Sequence, residues 1–425
     1  MKSSKAVFQQ DVSDVEKSKS YRATFSRKRN GQYVIVAGRK FENSLLMSVA
    51  LLELGNSCDF PANVWNRIPI PIYAIVLMAV GGTVAISMIF FAIWDAKFSW
   101  RNIQLLREER QYLREQCTSS DGGVIDALLE VNGWELGTEV IDRLSVDLLM
   151  GMSCGLVGIG TLLAIGGANP LVFHASNLLS GYIGNSPAAV CGVLIALWCV
   201  YMSLRAFQRG VVQADAISKP LLKRRMRLVQ TESAVVATTG IVAGFGSMLT
   251  ATRWYGYVIL APCILSFMCC KYAWRKSIGY SRKSIMEFDL FDQSDLVAEL
   301  KYVSQMQRLV TGLHTVQQLI PEWSPMVALD LILRSNLFDE FCSRLIQRTG
   351  MDSVVGPLNE ETQDVIAIQL SDVNDLACGN LSTTILETAE ECMEKDGPAH
   401  FRDRQCHILE VLGSYHVSAA TQSKY

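Results

Sequence analysis

The five histidines of this chain, His174, His314, His400, His407 and His416, include no two at the spacing that sets metal donors on one surface. His400, Cys406 and His407 could meet only through tertiary structure, so no metal centre is expected. The 12 cysteines contain no C-x-x-C pair. Half of them, Cys154, Cys191, Cys199, Cys263, Cys269 and Cys270, lie in or beside strongly apolar stretches, where cysteine behaves as a small hydrophobe. The vicinal Cys269 and Cys270 are read as packing residues, with S-palmitoylation as the other reading. Cys342, Cys378, Cys392 and Cys406 are expected to be reduced thiols.

Nucleophile, metalloprotease and phosphate-loop signatures (G-x-S-x-G, H-E-x-x-H, G-x-x-x-x-G-K-[ST]) are absent. "GLVGIG" at 155–160 lacks the strand–turn–helix setting of a dinucleotide site. No catalytic residue and no cofactor is expected, and a non-enzymatic protein is the first reading.

The elements that would hold any site are set by clumped hydrophobicity. The chain has 425 residues, half of them hydrophobic, and a mean hydropathy of +0.21. Residues 70–94, "IPIYAIVLMAVGGTVAISMIFFAIW", carry no charge. Residues 148–187 also lack Asp, Glu, Lys and Arg, and residues 188–204, 233–252 and 254–270 are comparably apolar. A helix rising ~1.5 Å per residue needs about 20 apolar residues to cross ~30 Å of hydrocarbon. The fold class expected is an all-α polytopic membrane protein: about five transmembrane helices, a small N-terminal β-hairpin region and a C-terminal soluble helical domain.

The boundaries read as follows. Residues 1–67 are an N-terminal polar region, with a β-hairpin at 21–41 turning on Asn30-Gly31. Spans lie at 68–94, 148–168, 188–204, 233–252 and 254–272. A cytosolic loop, 95–147, carries an amphipathic helix at 97–116, either interfacial through Trp100 or a plain extension of the first span. Thr138 is read as the N-cap of a helix leading into the second span. Residues 169–187 form an uncharged outer loop, an interfacial lid or a re-entrant pore loop. Residues 205–232 are a basic cytosolic loop. Residues 285–425 form an acidic cytosolic helical domain that starts a helix at Ser324-Pro325. Further helices are expected near 360–370, 381–395 and 401–414, with the last ten residues disordered.

Charge sets the orientation. Residues 1–284 hold 30 Lys+Arg against 19 Asp+Glu, and residues 285–425 hold 9 against 22. Lys and Arg near span ends stay cytoplasmic. "KPLLKRRMRL" at 219–228 concentrates Lys223, Arg224, Arg225 and Arg227, and marks a cytosolic loop that could also touch anionic headgroups. No folded nucleic-acid reader accompanies it, so nucleic acid is not an expected partner. The C-terminus is expected in the cytosol, along with the sequon Asn380-Leu381-Ser382. Five spans would then put the N-terminus outside, although residues 1–67 carry 11 Lys+Arg. That side stays open. The escape would be a further membrane-inserted element, with residues 45–52 as the candidate, but these are too short to span and read rather as an amphipathic or buried helix. Residues 1–31 are polar, so no secretory signal peptide is expected, and Asp11, Asp14 and Glu16 argue against a mitochondrial presequence.

Inside the spans, small residues recur four apart: Gly81 and Ala85, Gly151 and Gly155, Ala188, Gly192 and Ala196, Gly240 and Gly244. Such faces let helix backbones approach closely in lipid, either within one chain or between copies in a homo-oligomer. No Asp, Glu or Arg interrupts a span, and Lys271 sits at an end. Ion-coupled carriers usually carry intramembrane ionisable groups, so a proton-driven carrier is not expected. The leading function is a membrane scaffold or adaptor whose partners are the lipid bilayer and a cytosolic protein met by 285–425. The alternative is an oligomeric channel or facilitator packed through the small-residue faces. A lipid-handling enzyme comes third. The organelle is not legible.

Overall fold

The computed structural model describes residues 22–27, 33–35, 39–43, 48–65, 69–117, 123–211, 218–287, 293–312, 323–350, 365–378 and 381–422. The chain forms two compact units, one of Met1–Gly38 with Ser304–Phe401 and one of Arg39–Val303 with Arg402–Tyr425.

The second of these is a helical bundle. Five helices in it are long and apolar enough to cross a membrane: Ile72–Cys117, Gly123–Gly166, Pro170–Val211, Ser218–Thr250 and Gly256–Ile278. The first is one uninterrupted helix, α3 (Ile72–Cys117), of 46 residues. Residues 97–116 are therefore its continuation. Their inward stripe buries Asn102, Ile103, Leu105, Leu106, Glu109 and Leu113, while Trp100 is exposed. In the next, α4 (Gly123–Gly137) passes through a π-helical stretch at Thr138–Ser145 into α5 (Val146–Leu163). Thr138 is thus no N-cap: its hydroxyl donates to the Trp134 carbonyl one turn back, at 3.0 Å.

The expected outer loop at 169–187 is helical as well. Asn169 caps α6 (Pro170–Asn177) by accepting from the Leu171 amide, with Pro170 at the first helical position. A π-helical stretch, Leu178–Ile183, leads into α7 (Gly184–Val211). Tertiary packing explains the difference. Gly160 has no side chain, and a Cβ there would lie 2.5 Å from the Ser180 amide nitrogen, so this segment folds onto the second helix instead of looping away. The expected basic loop is largely helix too: α7 runs to Val211 and α8 (Ser218–Thr250) begins at Ser218. The last long helix is α9 (Gly256–Ala273) with a π-helical end, Trp274–Ile278.

The small residues are the contact points. A Cβ on Gly151 would lie 2.9 Å from the Ala92 Cβ, and one on Gly155 3.1 Å from Ile89. Gly192 and Gly240 meet backbone to backbone, and Gly244 faces Ala189. Ala85, Ala188 and Ala196 are buried. Gly81 meets a different element, the Cys58 carbonyl oxygen, at 2.5 Å from its would-be Cβ.

Cys58 belongs to a sixth helical pass. Helix α1 (Ser48–Asn56), a 3-10 turn at Ser57–Asp59 and α2 (Phe60–Trp65) have 9, 3 and 6 residues. At ~1.5 Å per residue they run about 27 Å. Leu52 packs in the core with Ala92, Val146, Met150 and Cys154. At the far end the Trp65 ring meets Tyr73, at the start of α3, with centroids 5.6 Å apart. At the near end β3 (Lys40–Glu42) pairs antiparallel with β4 (Ser281–Lys283), just past the last long helix. The run thus lies alongside α3 from Ala92 to Tyr73. Its composition hides it, because Glu53 and Asp59 interrupt the apolar residues.

The other unit contains a three-stranded sheet in the order β2–β1–β5. Strand β1 (Arg22–Arg27) pairs antiparallel with β2 (Tyr33–Ile35), Phe25 opposite Ile35, and with β5 (Val365–Gln369), Phe25 opposite Ile366. The expected turn at Asn30-Gly31 lies outside the described residues, as does Asn380. Helices α11 (Pro325–Arg334), α12 (Phe338–Thr349), α13 (Leu370–Ala377) and α14 (Ser382–Lys395) complete the unit with the ends of two helices named below. Ser324 caps α11 and Pro325 opens it. Phe25, Leu329, Ile332, Phe341, Leu345, Ile385 and Met393 are buried.

Three expectations are corrected here. Residues 365–369, "VIAIQ", are a strand, because the β-branched Val365, Ile366 and Ile368 pair with β1. Residues 285–425 are not one domain: α10 (Gln293–Thr311) and α15 (Gly397–Gln422) each divide between the two units. Residues 416–422, expected to be disordered, are helical as the end of α15, and 423–425 lie outside the described residues. The N-terminal side follows from the sheet. Strands β1 and β5 share hydrogen bonds, so whichever side of a membrane holds residues 365–369 also holds residues 22–27.

Candidate functional site

The sixth pass carries a polar stripe. Glu53, Asn56, Asp59 and Asn63 stand three, three and four residues apart, the spacing of one helix face. Glu53, Asn56 and Asp59 are buried. The bundle meets the stripe with polar side chains from four of its long helices.

Asn56 is the centre. Its Nδ2 donates to Asn185 Oδ1 at 3.1 Å and lies 3.3 Å from Ser247 Oγ, while its Oδ1 accepts from Ser153 Oγ at 2.6 Å. Asn185 Oδ1 accepts from Ser247 Oγ at 2.9 Å, and its Nδ2 donates to the Ser180 carbonyl and Thr250 Oγ1 at 3.2 and 3.3 Å. One turn on, Asp59 accepts from Tyr257 Oη and from Asn63 Nδ2, both at 2.8 Å. Deeper in the bundle, the Glu53 carboxyl lies within electrostatic reach of the Cys154, Cys191 and Cys263 thiols, which belong to three different long helices. Hydrogen bonds among buried amides and hydroxyls are strengthened by a low-dielectric surrounding, and each is costly to leave unmade.

Ion pairs close the other end of the bundle, where β3 and β4 lie. Arg143 is bound to Asp95 and lies 3.6 Å from Glu139, whose carboxylate accepts from Ser99 and Asn102 at 3.0 and 3.1 Å. Arg282, set opposite Phe41 by the β3–β4 register, reaches Glu109 at 2.7 Å and Glu135 at 2.5 Å. Tyr280 Oη donates to Glu135 at 2.7 Å. Burial alone would lower the Arg282 guanidinium, but Glu135 and Glu109 hold it well above its usual value, so it stays charged.

The basic run enters this end. Arg225 is buried, its Nε donating to Glu410 at 2.8 Å and its Nη2 to the Ile278 carbonyl at 3.0 Å. The expected headgroup role is therefore wrong for Arg225, because Glu410 on α15 satisfies its charge inside the protein. Lys223, Arg224 and Arg227 are exposed. Arg209 also binds Glu410, and donates to Glu130 at 3.0 Å. Burial would raise the Glu410 carboxyl, yet Arg225, Arg209 and Arg205 together pull it below the usual carboxylate range. His407, half-buried one turn earlier, is pushed down to about 3 by desolvation and by the neighbouring Arg282.

The small-residue faces named from sequence all lie at helix contacts or in the core, and none reaches the polar stripe directly. The stripe lies outside the five apolar segments, so hydropathy alone does not point to it. Its signal was the helical spacing of four polar residues within an otherwise apolar 48–65. Among the described residues no group of three or more His, Cys, Asp or Glu could hold a metal ion. No protein-family description, curated protein or solved structure matches this chain.

Proposed function

We propose that the chain is a membrane carrier or facilitator for a small hydrogen-bonding cation, the proton included, and that it works as a single bundle. One observation carries this reading: a helical run bearing Glu53, Asn56, Asp59 and Asn63 on one face is threaded among five helices apolar enough to cross a membrane. A carboxyl group in such a setting is expensive, and membrane proteins keep one chiefly where an ion or proton must be met. Glu53 is the group assigned to take up the cation. Asp59, held by Tyr257 and Asn63, positions the outer part of the stripe, and the Asn56–Asn185 pair supplies neutral hydrogen-bonding steps between them.

The test is flux into sealed liposomes holding the pure protein and a pH-sensitive dye, driven by an imposed gradient of protons or of small organic ammonium ions. Flux in the wild type that Glu53→Gln abolishes, with an unchanged elution volume and melting midpoint, supports the reading. Wild-type vesicles no leakier than empty ones for every one of these ions overturn it.

A second reading, a scaffold presenting a soluble unit, is favoured by one separate feature. Strands from both ends of the chain close into one sheet, so the non-bundle unit is tethered through several connections. This reading keeps the lipid bilayer and a cytosolic protein as partners, and needs no flux.

A further inference from the structure

A groove of about 880 Å³ lies on the bundle between α3 and the helix that contains α5. Its polarity changes along its length. At one end stand Lys97, Trp100 and Arg101, and the rest is walled by side chains such as Ile93, Met152, Leu156 and Ile159. Gly151 and Gly155 form part of the lining. From residue 144 to residue 159 the groove follows one helix for roughly 22 Å at ~1.5 Å per residue. That exceeds the ~15 Å of one leaflet's hydrocarbon by about the depth of a headgroup.

Lys97 and Arg101 are four residues apart on one helix face, both exposed, and among the described residues neither is ion-paired. Two free cations beside an exposed Trp100 form an interfacial phosphate-binding corner. A second group distinguishes among phospholipids. Asp147 lines the groove, is 1% exposed, and neither of its carboxyl oxygens has a hydrogen-bond partner. The Gly151–Ala92 contact fixes the helix register. It puts Asp147 level with Ala96, beside Lys97 and about a turn deeper than Arg101. A buried carboxyl group with both oxygens unpartnered calls for donors. The glycerol backbone of a diacyl phospholipid offers only ester oxygens at that depth, which accept. A sphingoid backbone offers two donors, an amide N–H and a secondary hydroxyl, one for each orphaned oxygen.

We propose that this groove is a binding site for an anionic phosphosphingolipid, with Lys97 and Arg101 on the phosphate, Asp147 on the amide and hydroxyl, and one chain laid along the apolar wall. The site is separate from the polar stripe and does not depend on the transport reading.

The test uses full-length, delipidated protein in detergent and three probes: ceramide phosphate, phosphatidic acid and lysophosphatidic acid. Retention is read by native mass spectrometry and by the melting midpoint. Ceramide phosphate should bind one per chain, about tenfold or more tighter than phosphatidic acid, the difference two hydrogen bonds make. Asp147→Asn should shrink that preference, and Lys97→Gln/Arg101→Gln should weaken ceramide phosphate and phosphatidic acid alike. The second variant changes only exposed side chains, so it reports even where the first does not fold. Equal retention of ceramide phosphate and phosphatidic acid overturns the proposal, as does a preference for the lyso lipid. Binding indifferent to Lys97 and Arg101 also overturns it.

Discussion

Arg225 and Glu410 form a buried ion pair with Nε and Oε1 2.8 Å apart, across 185 residues of sequence. The pair ties the centre of the basic run to the last helix, and Arg209 binds the same carboxylate from a neighbouring helix. Removing one member of a buried pair leaves an uncompensated charge and costs about 3–5 kcal/mol. Glu410→Gln leaves Arg225 without its carboxylate, while Arg209 keeps Glu130, and should destabilise the bundle on that scale. Arg224→Gln, one residue from Arg225 but exposed, should stay within ~0.5 kcal/mol. Thermal unfolding in detergent compares the two, and equal effects would mean that the pair is not buried in solution.

The same helix makes stability depend on pH. His407 is neutral in the folded state, with its imidazole pushed down to about 3 from 6.5. Below about 6.5 the unfolded chain takes up a proton that the folded chain refuses, so stability falls as pH drops from 6.5 towards 3. The loss should reach about 2 kcal/mol by pH 5. Glu410 acts lower on the scale: its depressed carboxyl stabilises above the ordinary carboxylate range, and that contribution goes as pH falls through its folded value. His407→Leu should flatten the melting midpoint between pH 6.5 and 5 and leave the drop below pH 4 in place.

Both ends of the chain should lie on one side of a sealed membrane. The β1–β5 pairing joins residues 22–27 to 365–369, and the β3–β4 pairing joins residues 40–42 to 281–283. Tags at residue 1 and residue 425 should therefore be cleaved together or protected together when vesicles are treated with protease. One tag cleaved and the other protected would contradict the sixth pass.

Gly192 and Gly133 offer a matched pair of substitutions. A Cβ at Gly192 runs into the Gly240 carbonyl, whereas one at Gly133 meets only the far end of Arg110, at 3.8 Å. Gly192→Ala should cost about 1–3 kcal/mol through overpacking. Gly133→Ala, inside α4, should be neutral or stabilise by about 1 kcal/mol through helix propensity. Chemical denaturation in mild detergent measures both. If Gly192→Ala changed the oligomeric state and left the bundle's stability untouched, the face would lie between chains.

Asn56 and Asn185 should be coupled. Asn56→Leu leaves Asn185, Ser153 and Ser247 short of a partner, each buried, for a loss of about 1–3 kcal/mol. The double variant with Asn185→Leu should lose less than the sum of the two singles, because neighbours sharing one network are not additive. Strict additivity in a double-mutant cycle would show that the two amides do not meet.

The sequence alone determined the five apolar helices. Runs such as 70–94 can satisfy their backbone only as helices and can hide their side chains only in lipid or in a core, and that follows from composition with no partner needed. The Ser324-Pro325 helix start and the strand-like 22–27 and 33–35 were equally local, as was the role of the small residues at contacts.

What tertiary structure decided was everything that depends on who the neighbour is. Residues 48–65 fail every apolar test because Glu53, Asn56, Asp59 and Asn63 count against them. They become a sixth pass only because Ser153, Asn185, Ser247 and Tyr257 are there to bond those polar atoms. Residues 169–187 lose their look of a loop for a similar reason, the bare backbone at Gly160. Arg225 and Arg224 are adjacent and chemically identical, yet one is buried and the other exposed, and only the arrival of Glu410 from the far end of the chain separates them. Hydrophobicity is a property of a segment and can be read along a sequence. The satisfaction of a buried polar group is a property of a pair, and its second member is supplied by the fold.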